Sequence, residues 1–164
     1  MKTLLLIRHA KSSWDSAALE DFERPLNERG KNDAPRMARQ LLKNKVKIDA
    51  FVSSPAKRAR KTAEFFIEAY NRKEKEIILV PELYEATVKN FKVVVGVLDE
   101  DNDTVAIFSH NPGITSFANT LTDLTIDNMP TCSIFAVKSL ANSWPAFLED
   151  KREFWFFDFP KKEA

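Results

Sequence analysis

The sequence predicts an α/β fold in which helices pack in layers against a largely parallel sheet. Short apolar or β-branched runs alternate with segments whose apolar residues recur at helical spacing, the pattern of strands joined by crossover helices. The 164 residues are 44% hydrophobic, which is enough for one domain with a substantial core. No linker, internal repeat or low-complexity tract divides the chain, so we expect a single domain over residues 1–164.

Six segments have the composition of strands. The first, residues 4–7, is entirely apolar, as expected of a strand that is buried on both faces. The last two segments are rich in aromatic and β-branched residues. The predicted strands are residues 4–7, 50–53, 77–80, 104–109, 133–138 and 154–159.

Four helices are predicted between these strands. Apolar residues from Ala59 to Tyr70 fall at i, i+3, i+4, i+7 and i+11, which forms one stripe on a helix. Asn27 is a candidate N-cap for a helix that reaches Leu42, in which Pro35 predicts a kink or a late start. The other two helices are predicted over 87–98 and 114–121.

Composition argues against several classes of function. The net charge of +1 gives no global attraction to nucleic acid or membranes, and the first apolar stretch is too short for a signal peptide or a span. The acidic run 99–103 lacks the glycine and the distal glutamate of a calcium loop, so we expect a solvated turn there. The single Cys132 predicts a reducing, cytoplasmic location, and the spacing of Cys and His predicts no metal site.

The chain has only two histidines, and each stands where an apolar run ends. His9 follows the first predicted strand, and His110 follows the fourth. Ligands of open α/β sheets gather at the carboxyl ends of strands, so the two imidazoles together predict a site. Either histidine alone could instead be a hydrogen-bonded structural residue, but the arginines near them favour a site.

Those arginines point to phosphoryl transfer. A neutral imidazole such as that of His9 is a competent nucleophile toward phosphorus, and the adjacent Arg8 offers a planar fork that matches phosphate oxygens. Ser54 suits an N-cap and Pro55 a first helical position. Arg58 would then lie in the first helical turn, at an end that favours anions. The other basic residues of that segment are interpreted as a solvated face: Lys57, Arg60 and Lys61.

Four motifs, in order along the chain, resemble those of the histidine phosphatase superfamily, also called phosphoglycerate mutase-like. Residues 5–10 resemble its signature, residues 54–59 its second arginine motif, and residues 109–111 its second histidine motif. The SixA-type phosphohistidine phosphatase branch is indicated by a longer pattern: residues 8–14, Asp21, residues 24–26 and Gly30.

This resemblance implies a three-layer α/β/α sandwich and a phosphatase that works through a covalent phosphohistidine intermediate, without a metal or organic cofactor. It implies that His9 is the phosphorylated nucleophile. The rest of the phosphate pocket would be formed by Arg8, Arg58 and His110. Ala10 stands where the family usually has glycine, a change that costs little if the backbone there keeps a negative φ.

The general acid is a second departure from the family pattern. Many relatives place a glutamate after the third strand, where this chain offers Glu85, with Glu82 as the alternative. Such an acid needs a raised pKa, whereas a phosphohistidine substrate has a nitrogen leaving group that can already carry a proton. Lys11 and Arg24 are candidates for substrate binding at the pocket rim, or else structural ion-pair partners.

The stretch from residue 70 to 105 is too short for the cap that encloses small substrates in larger relatives. An open pocket suits a phosphate displayed on a protein, so we expect a phosphotransfer domain or similar carrier as the partner. No long heptad pattern predicts an oligomer, and we expect a monomer.

Two other functions remain open from the sequence. One is a small-molecule phosphomonoesterase or mutase of the same superfamily, and the other is a non-catalytic phosphate-dependent binding module. A nucleotide-binding enzyme is disfavoured, because the three glycines of the chain cannot form a phosphate-cradling loop.

Overall fold

A computed structural model describes residues 1–15 and 18–161 as one six-stranded sheet with helices on both faces. The strand order across the sheet is β3-β2-β4-β1-β5-β6. The strands are β1 (Lys2–Arg8), β2 (Ala50–Ser53), β3 (Ile78–Leu79), β4 (Thr104–Ser109), β5 (Ile134–Ser139) and β6 (Arg152–Asp158).

The sheet is mostly parallel, which confirms the predicted fold class. β4 lies parallel between β1 and β2, and β3 pairs in parallel with β2. β5 is antiparallel both to β1 and to β6, so only β5 runs against the others. In the register of β1 and β4, Arg8 lies opposite Ser109, so the residues that follow these two strands emerge side by side.

In the described part of the chain, five helices cover the two faces: α1 (Glu28–Lys43), α2 (Lys57–Ala69), α3 (Val88–Gly96), α4 (Gly113–Leu121) and α5 (Trp144–Glu149). Alternate residues of β1 divide the core between them, because successive strand side chains point to opposite faces. Leu5 and Ile7 pack with α1 and α2, whereas Leu4 and Leu6 pack with α3, α4 and α5. This arrangement is the predicted three-layer sandwich.

Helix α1 begins where its cap predicts. The side chain of Asn27 accepts a hydrogen bond from the backbone N–H of Gly30, and the helix runs through Pro35 without a late start. Gly30 also lets α1 approach the loop after β1: a Cβ at this position would lie 2.2 Å from the carbonyl oxygen of Lys11. The start of α1 is therefore packed directly against the segment that follows the first histidine.

Two local features differ from the sequence-based expectation. The third strand is only two residues long, and both are exposed. The short helix α5, capped by the Ser143 side chain, is not among the four predicted helices, because its six residues are too few to show a helical period. Between α2 and β4 the chain forms only β3, two 3-10 turns and α3, so this stretch holds no large insertion, as expected.

The two edges of the sheet are short or irregular. β3 ends one side, and β6 ends the other. The pairing of β6 with β5 shifts register, because Ala136 lies opposite Phe156 and Val137 opposite Phe154, which leaves Trp155 as an extra residue. Such a bulge bends the strand that contains it.

Within residues 1–15 and 18–161, no helix has the length and apolar content needed to cross a membrane.

Candidate active site

The two histidines meet at the carboxyl ends of β1 and β4. His9 donates its backbone N–H to the carbonyl oxygen of Ser109, the residue before His110. The two imidazole rings lie with their centroids 5.2 Å apart and are both buried. The parallel pairing of the two central strands thus brings together residues far apart in the sequence, as their positions at strand ends predict.

A hydrogen bond at Nδ1 fixes the orientation of the His9 ring. This nitrogen lies 2.7 Å from the carbonyl oxygen of Ala10, which can only accept, so Nδ1 carries the proton. The Ala10 N–H in turn donates to the Thr62 hydroxyl, which donates to the carbonyl oxygen of Arg58. Burial, reinforced by the charges of His110, Arg58 and Arg8, lowers the pKa of His9 well below its usual range. A neutral His9 with a bare Nε2 is the form required of a nucleophile.

His110 is also held neutral. Burial and the nearby positive charge of Arg58 lower its pKa to about 3. Its Nε2 lies 2.7 Å from the hydroxyl oxygen of Ser54, and the ring of Tyr84 packs edge-on against it at 5.5 Å. The imidazole therefore enters the site as a hydrogen-bonding group and not as a cation.

Arg8 is anchored by one terminal nitrogen. Its Nη1 donates to the carbonyl oxygen of Met129, which also accepts a hydrogen bond from the side chain of Asn111. Burial, the largest cause, and the charge of Arg58 lower the pKa of Arg8. Two guanidinium groups close enough to affect each other define a locally positive region, as an anion site requires.

Arg58 donates hydrogen bonds from both of its terminal nitrogens to Asp21. Its Nη1 donates to the backbone carbonyl of Asp21 at 2.7 Å, and its Nη2 donates to the Asp21 carboxylate at 3.0 Å. The two terminal nitrogens that were expected to bind phosphate thus bond Asp21 instead. The Nε of Arg58 has no hydrogen-bond partner among the described residues. Arg58 still lies in the first turn of α2, as predicted.

Unpartnered buried nitrogens cluster at this site. In residues 1–15 and 18–161, buried side-chain atoms without a hydrogen-bond partner occur on only five residues. Three of the five are predicted site residues, and their free atoms are Arg8 Nε, Arg58 Nε and His110 Nδ1. Native proteins rarely leave buried donors unsatisfied, so three together are best explained by an anion that accepts from them.

Asp21 belongs to the SixA-type sequence pattern, but the sequence assigned it no role in the site. Its carboxylate accepts hydrogen bonds from Arg58, from Arg24 at 3.1 Å and from the Tyr84 hydroxyl at 2.6 Å. Burial alone would raise the pKa of Asp21, but these hydrogen bonds and the charge of Arg58 outweigh it and lower the pKa to about 2. Asp21 is therefore ionised at any ordinary pH and stabilises the cationic wall of the pocket.

The two predicted rim residues differ in their surroundings. Lys11 has an exposed side chain, while its backbone packs against α1. Arg24 is buried: its Nη1 donates to the Ser12 hydroxyl at 2.6 Å, and its guanidinium stacks 3.5 Å from the ring centre of Trp14. Together with the Asp21 ion pair, these contacts fit the structural alternative that the sequence left open for Arg24.

The candidate acids Glu85 and Glu82 both have exposed side chains. Glu85 adopts a positive φ of 55° and lines a cleft of about 460 Å³ that His110 also lines. Glu82 is not among the residues that line this cleft. Of the two candidate acids, Glu85 is therefore the one that shares a cleft with His110.

The predicted N-cap role of Ser54 is wrong. Helix α2 begins at Lys57, and its N-cap residue is Ala56, which makes no side-chain cap. The Ser54 hydroxyl accepts a long hydrogen bond of 3.2 Å from the Ala56 N–H and faces His110. The Ser54 hydroxyl thus bonds both the Ala56 N–H and His110, and neither bond caps α2.

Comparisons with known proteins bear on the family and the fold of this chain. The family model described as "Histidine phosphatase superfamily (branch 1)" matches residues 4–94. A solved structure of a candidate phosphohistidine phosphatase SixA from Agrobacterium tumefaciens superposes with a TM-score of 0.82 at 21% identity, covering 98% of this chain and 99% of that one. This likeness shows the fold.

Two curated relatives extend the comparison. An uncharacterized chloroplastic protein of Arabidopsis thaliana is 28% identical over 151 residues, which are 87% of this chain and 69% of that protein. A 2,3-bisphosphoglycerate-dependent phosphoglycerate mutase of Bartonella henselae is 34% identical over 86 residues, 51% of this chain. The matched region spans only 42% of the mutase.

Proposed function

The chain belongs to the histidine phosphatase superfamily, and we propose that within it this protein is a phosphatase that removes the phosphoryl group from phosphohistidine on a carrier protein. Membership alone supports a phosphatase or mutase-like enzyme. The substrate and the role of each residue are the proposal.

One observation carries it. His9 has its proton on Nδ1, held by the Ala10 carbonyl, so that Nε2 is free. Around it stand the unpartnered donors Arg8 Nε and Arg58 Nε and the unpartnered His110 Nδ1. Phosphoryl transfer needs little more than a positioned nucleophile and groups that neutralise the equatorial oxygens.

The proposed reaction has two displacements at phosphorus. His9 Nε2 attacks, a bond forms between it and phosphorus, and the bond from phosphorus to the substrate nitrogen breaks. The leaving imidazole takes up a proton and departs neutral. A water oxygen then attacks the phosphoryl group on His9, the N–P bond breaks, and inorganic phosphate leaves with His9 restored.

A protein substrate is favoured by the open surroundings of the pocket. The stretch between α2 and β4 adds no domain over the sheet, so nothing in it encloses a small molecule. The SixA structure from Agrobacterium tumefaciens, that of a candidate phosphohistidine phosphatase, has the same fold over nearly the whole chain. A nitrogen leaving group also reduces the need for a buried, pKa-shifted acid, and Glu85 is exposed.

A second candidate function is hydrolysis of small phosphate esters. The observation that favours it is the shared cleft of Glu85 and His110, where an ester oxygen could take a proton from Glu85 as it leaves. An oxygen leaving group depends on such protonation far more than a protonated imidazole does. The dependence of the rate on Glu85 therefore separates the two candidates.

The test compares phosphate release from a phosphohistidine-bearing phosphotransfer protein and from an aryl phosphate ester. The variants are His9→Ala, Glu85→Gln and, as a matched control, Glu82→Gln. We expect rapid release from the protein and slow release from the ester, with both lost in His9→Ala. Neither glutamate variant should change release from the protein by more than about twofold, because exposed carboxylates outside the reaction contribute little.

Other outcomes would overturn the proposal. Release from the ester alone, reduced in Glu85→Gln but not in Glu82→Gln, would establish the second candidate. Turnover by His9→Ala at the wild-type rate would remove His9 as the nucleophile. Phosphate binding without any turnover would indicate a binding module.

A further inference from the structure

The contact between Ser54 and His110 determines where the proton of His110 lies. The Ser54 hydroxyl oxygen and His110 Nε2 are 2.7 Å apart, and both residues are buried. A serine hydroxyl can donate or accept, and so can a neutral imidazole nitrogen, depending on the tautomer. The distance alone leaves two arrangements, in which the shared hydrogen belongs to Ser54 or to His110.

The hydrogen bonds of Ser54 distinguish these arrangements. Its oxygen already accepts from the backbone N–H of Ala56. The hydroxyl hydrogen must be given to an acceptor, and His110 Nε2 is the acceptor that faces it. If Nε2 were protonated, two hydrogens would point at each other or the buried hydroxyl would lose its acceptor, and both arrangements are unfavourable in a buried site.

The hydrogen bonds of His110 lead to the same arrangement. A neutral imidazole carries one proton, so an Nε2 that accepts from Ser54 requires a proton on Nδ1. The Nδ1 of His110 is buried and has no hydrogen-bond partner among the described residues. With the proton there, His110 offers a donor to the same anion that Arg8 Nε and Arg58 Nε would contact. With the proton on Nε2, a bare lone pair would face a phosphoryl oxygen and repel it.

We propose that Ser54 is a positioning residue that holds His110 in the tautomer protonated on Nδ1, so that this N–H donates to the phosphoryl group. The benefit to phosphate binding rests on the proposed function, but the tautomer itself does not. His9 is protonated on Nδ1 as well, through the Ala10 carbonyl. The two imidazoles thus have the same tautomer, set by different partners. His9 keeps a bare Nε2 for attack on phosphorus, and His110 keeps an Nδ1–H for binding the phosphoryl group.

The two-histidine composition makes the test direct. Protein labelled with ¹⁵N at histidine contains only these two imidazoles, and a His110→Gln variant assigns their signals. Long-range ¹H–¹⁵N spectra distinguish a protonated from a bare ring nitrogen. At pH 7.5 we expect both wild-type rings to be neutral and protonated on Nδ1. In Ser54→Ala, His110 should move to the Nε2 tautomer or to an average of the two.

Matched variants separate this role from a loss of structure. Ser53→Ala removes a neighbouring buried hydroxyl that donates to the Ser54 carbonyl and not to His110, so the tautomer should not change. Ser54→Thr keeps the donor and should retain the wild-type spectrum. Affinity for vanadate should fall roughly tenfold in Ser54→Ala, as expected for one hydrogen bond, and by less than about twofold in Ser53→Ala.

A wild-type His110 protonated on Nε2 would overturn the proposal, and so would a Ser54→Ala protein in which His110 stays protonated on Nδ1. If Ser54→Ala does not fold, Ser54→Cys, which keeps the shape but is a weaker donor, is judged by the same spectra. The spectra also separate the two proposals, since a protein that hydrolyses no phosphohistidine would still show the Ser54-dependent tautomer.

Discussion

Tyr84 donates a hydrogen bond of 2.6 Å from its hydroxyl to the carboxylate of Asp21, and this bond joins the segment between β1 and α1 to the segment between β3 and α3. The same carboxylate oxygen accepts from Arg58. The ring of Tyr84 also packs edge-on against Phe22 at 5.1 Å and against His110. One tyrosine therefore contacts both the loop that holds Arg58 and the second histidine, and it supports two of the three groups around His9.

Removing the Tyr84 hydroxyl should weaken anion binding. Tyr84→Phe keeps the ring contacts but deletes one hydrogen bond to Asp21, which leaves Arg58 less firmly held. We expect vanadate affinity to fall about fivefold, in line with about 1 kcal/mol for such a bond. Titration of the purified variant measures it. Tyr70→Phe is the control, because its hydroxyl bonds the Val46 carbonyl away from the site; equal losses in both variants would contradict the prediction.

Arg58→Lys should be costly despite conserving the charge. A lysine has one terminal nitrogen and cannot bond both the backbone and the carboxylate of Asp21 while also presenting an Nε–H. We expect a loss of about 100-fold in kcat/KM, typical of removing one donor to a developing anion. Arg60→Lys, on the same helix, changes a surface pair with Glu64 and should stay within about twofold. Steady-state kinetics of both variants decide whether Arg58 belongs to the pocket.

Stability should fall in mild acid because both histidines are buried and neutral. Their folded pKa values lie below the usual 6.5, well below for His9 and at about 3 for His110. As the pH falls below 6.5, the unfolded chain gains protons that the folded chain does not, so the unfolding free energy decreases by up to about 1.4 kcal/mol per pH unit for each group. For His110 the loss should continue to about pH 3.

Urea denaturation at pH 7.5, 6.0, 5.0 and 4.5 measures this loss, since the two histidines should cause no change above pH 7.5. His110→Gln removes one of the two groups and should make the pH dependence shallower. A wild-type midpoint that does not change between pH 7.5 and 4.5 would mean that the imidazoles become protonated in the folded state.

Two glycine variants should have opposite effects on stability. In Gly30→Ala the new Cβ would lie 2.2 Å from the Lys11 carbonyl oxygen, so the backbone must shift, at a cost of about 1–3 kcal/mol. In Gly96→Ala the Cβ would meet Leu148 Cδ1 at 3.5 Å, an ordinary contact. That helical alanine should stabilise the protein by about 0.5–1 kcal/mol. Thermal unfolding measures the change in stability of each variant. A Gly30→Ala protein as stable as the wild type would contradict the close approach of Gly30 to the Lys11 backbone.

The fold and the four central site residues follow from the sequence because they depend on strand ends. Arg8, His9 and His110 directly follow or end buried apolar runs, and the parallel sheet fixes which ends are neighbours. Arg58 lies in the first turn of the helix after another such strand. The alternation of elements predicts a largely parallel sheet and its strand ends, whereas the strand order that places β1 beside β4 is seen in the structure.

The partners of those residues depend on contacts that local patterns do not encode. Ser54 has the sequence of a helix cap, but α2 begins only at Lys57, and the Ser54 hydroxyl bonds His110 from another strand end. Asp21 has a nearby partner in Arg24, three residues on, which gives no hint that its second oxygen bonds Arg58 and Tyr84. Such choices are settled by tertiary packing, where each polar atom takes the best donor or acceptor within reach.

The sheet edges have a consequence for the protein at high concentration. An exposed strand with regular pairing groups is a template on which another chain can add, and repeated addition produces filaments. At one edge β3 offers only two residues, and at the other the extra Trp155 breaks the spacing that an incoming strand would have to match. The aromatic run of β6 would otherwise be well suited to cross-β stacking, so we expect this single inserted residue to hinder the addition of a further strand at this edge.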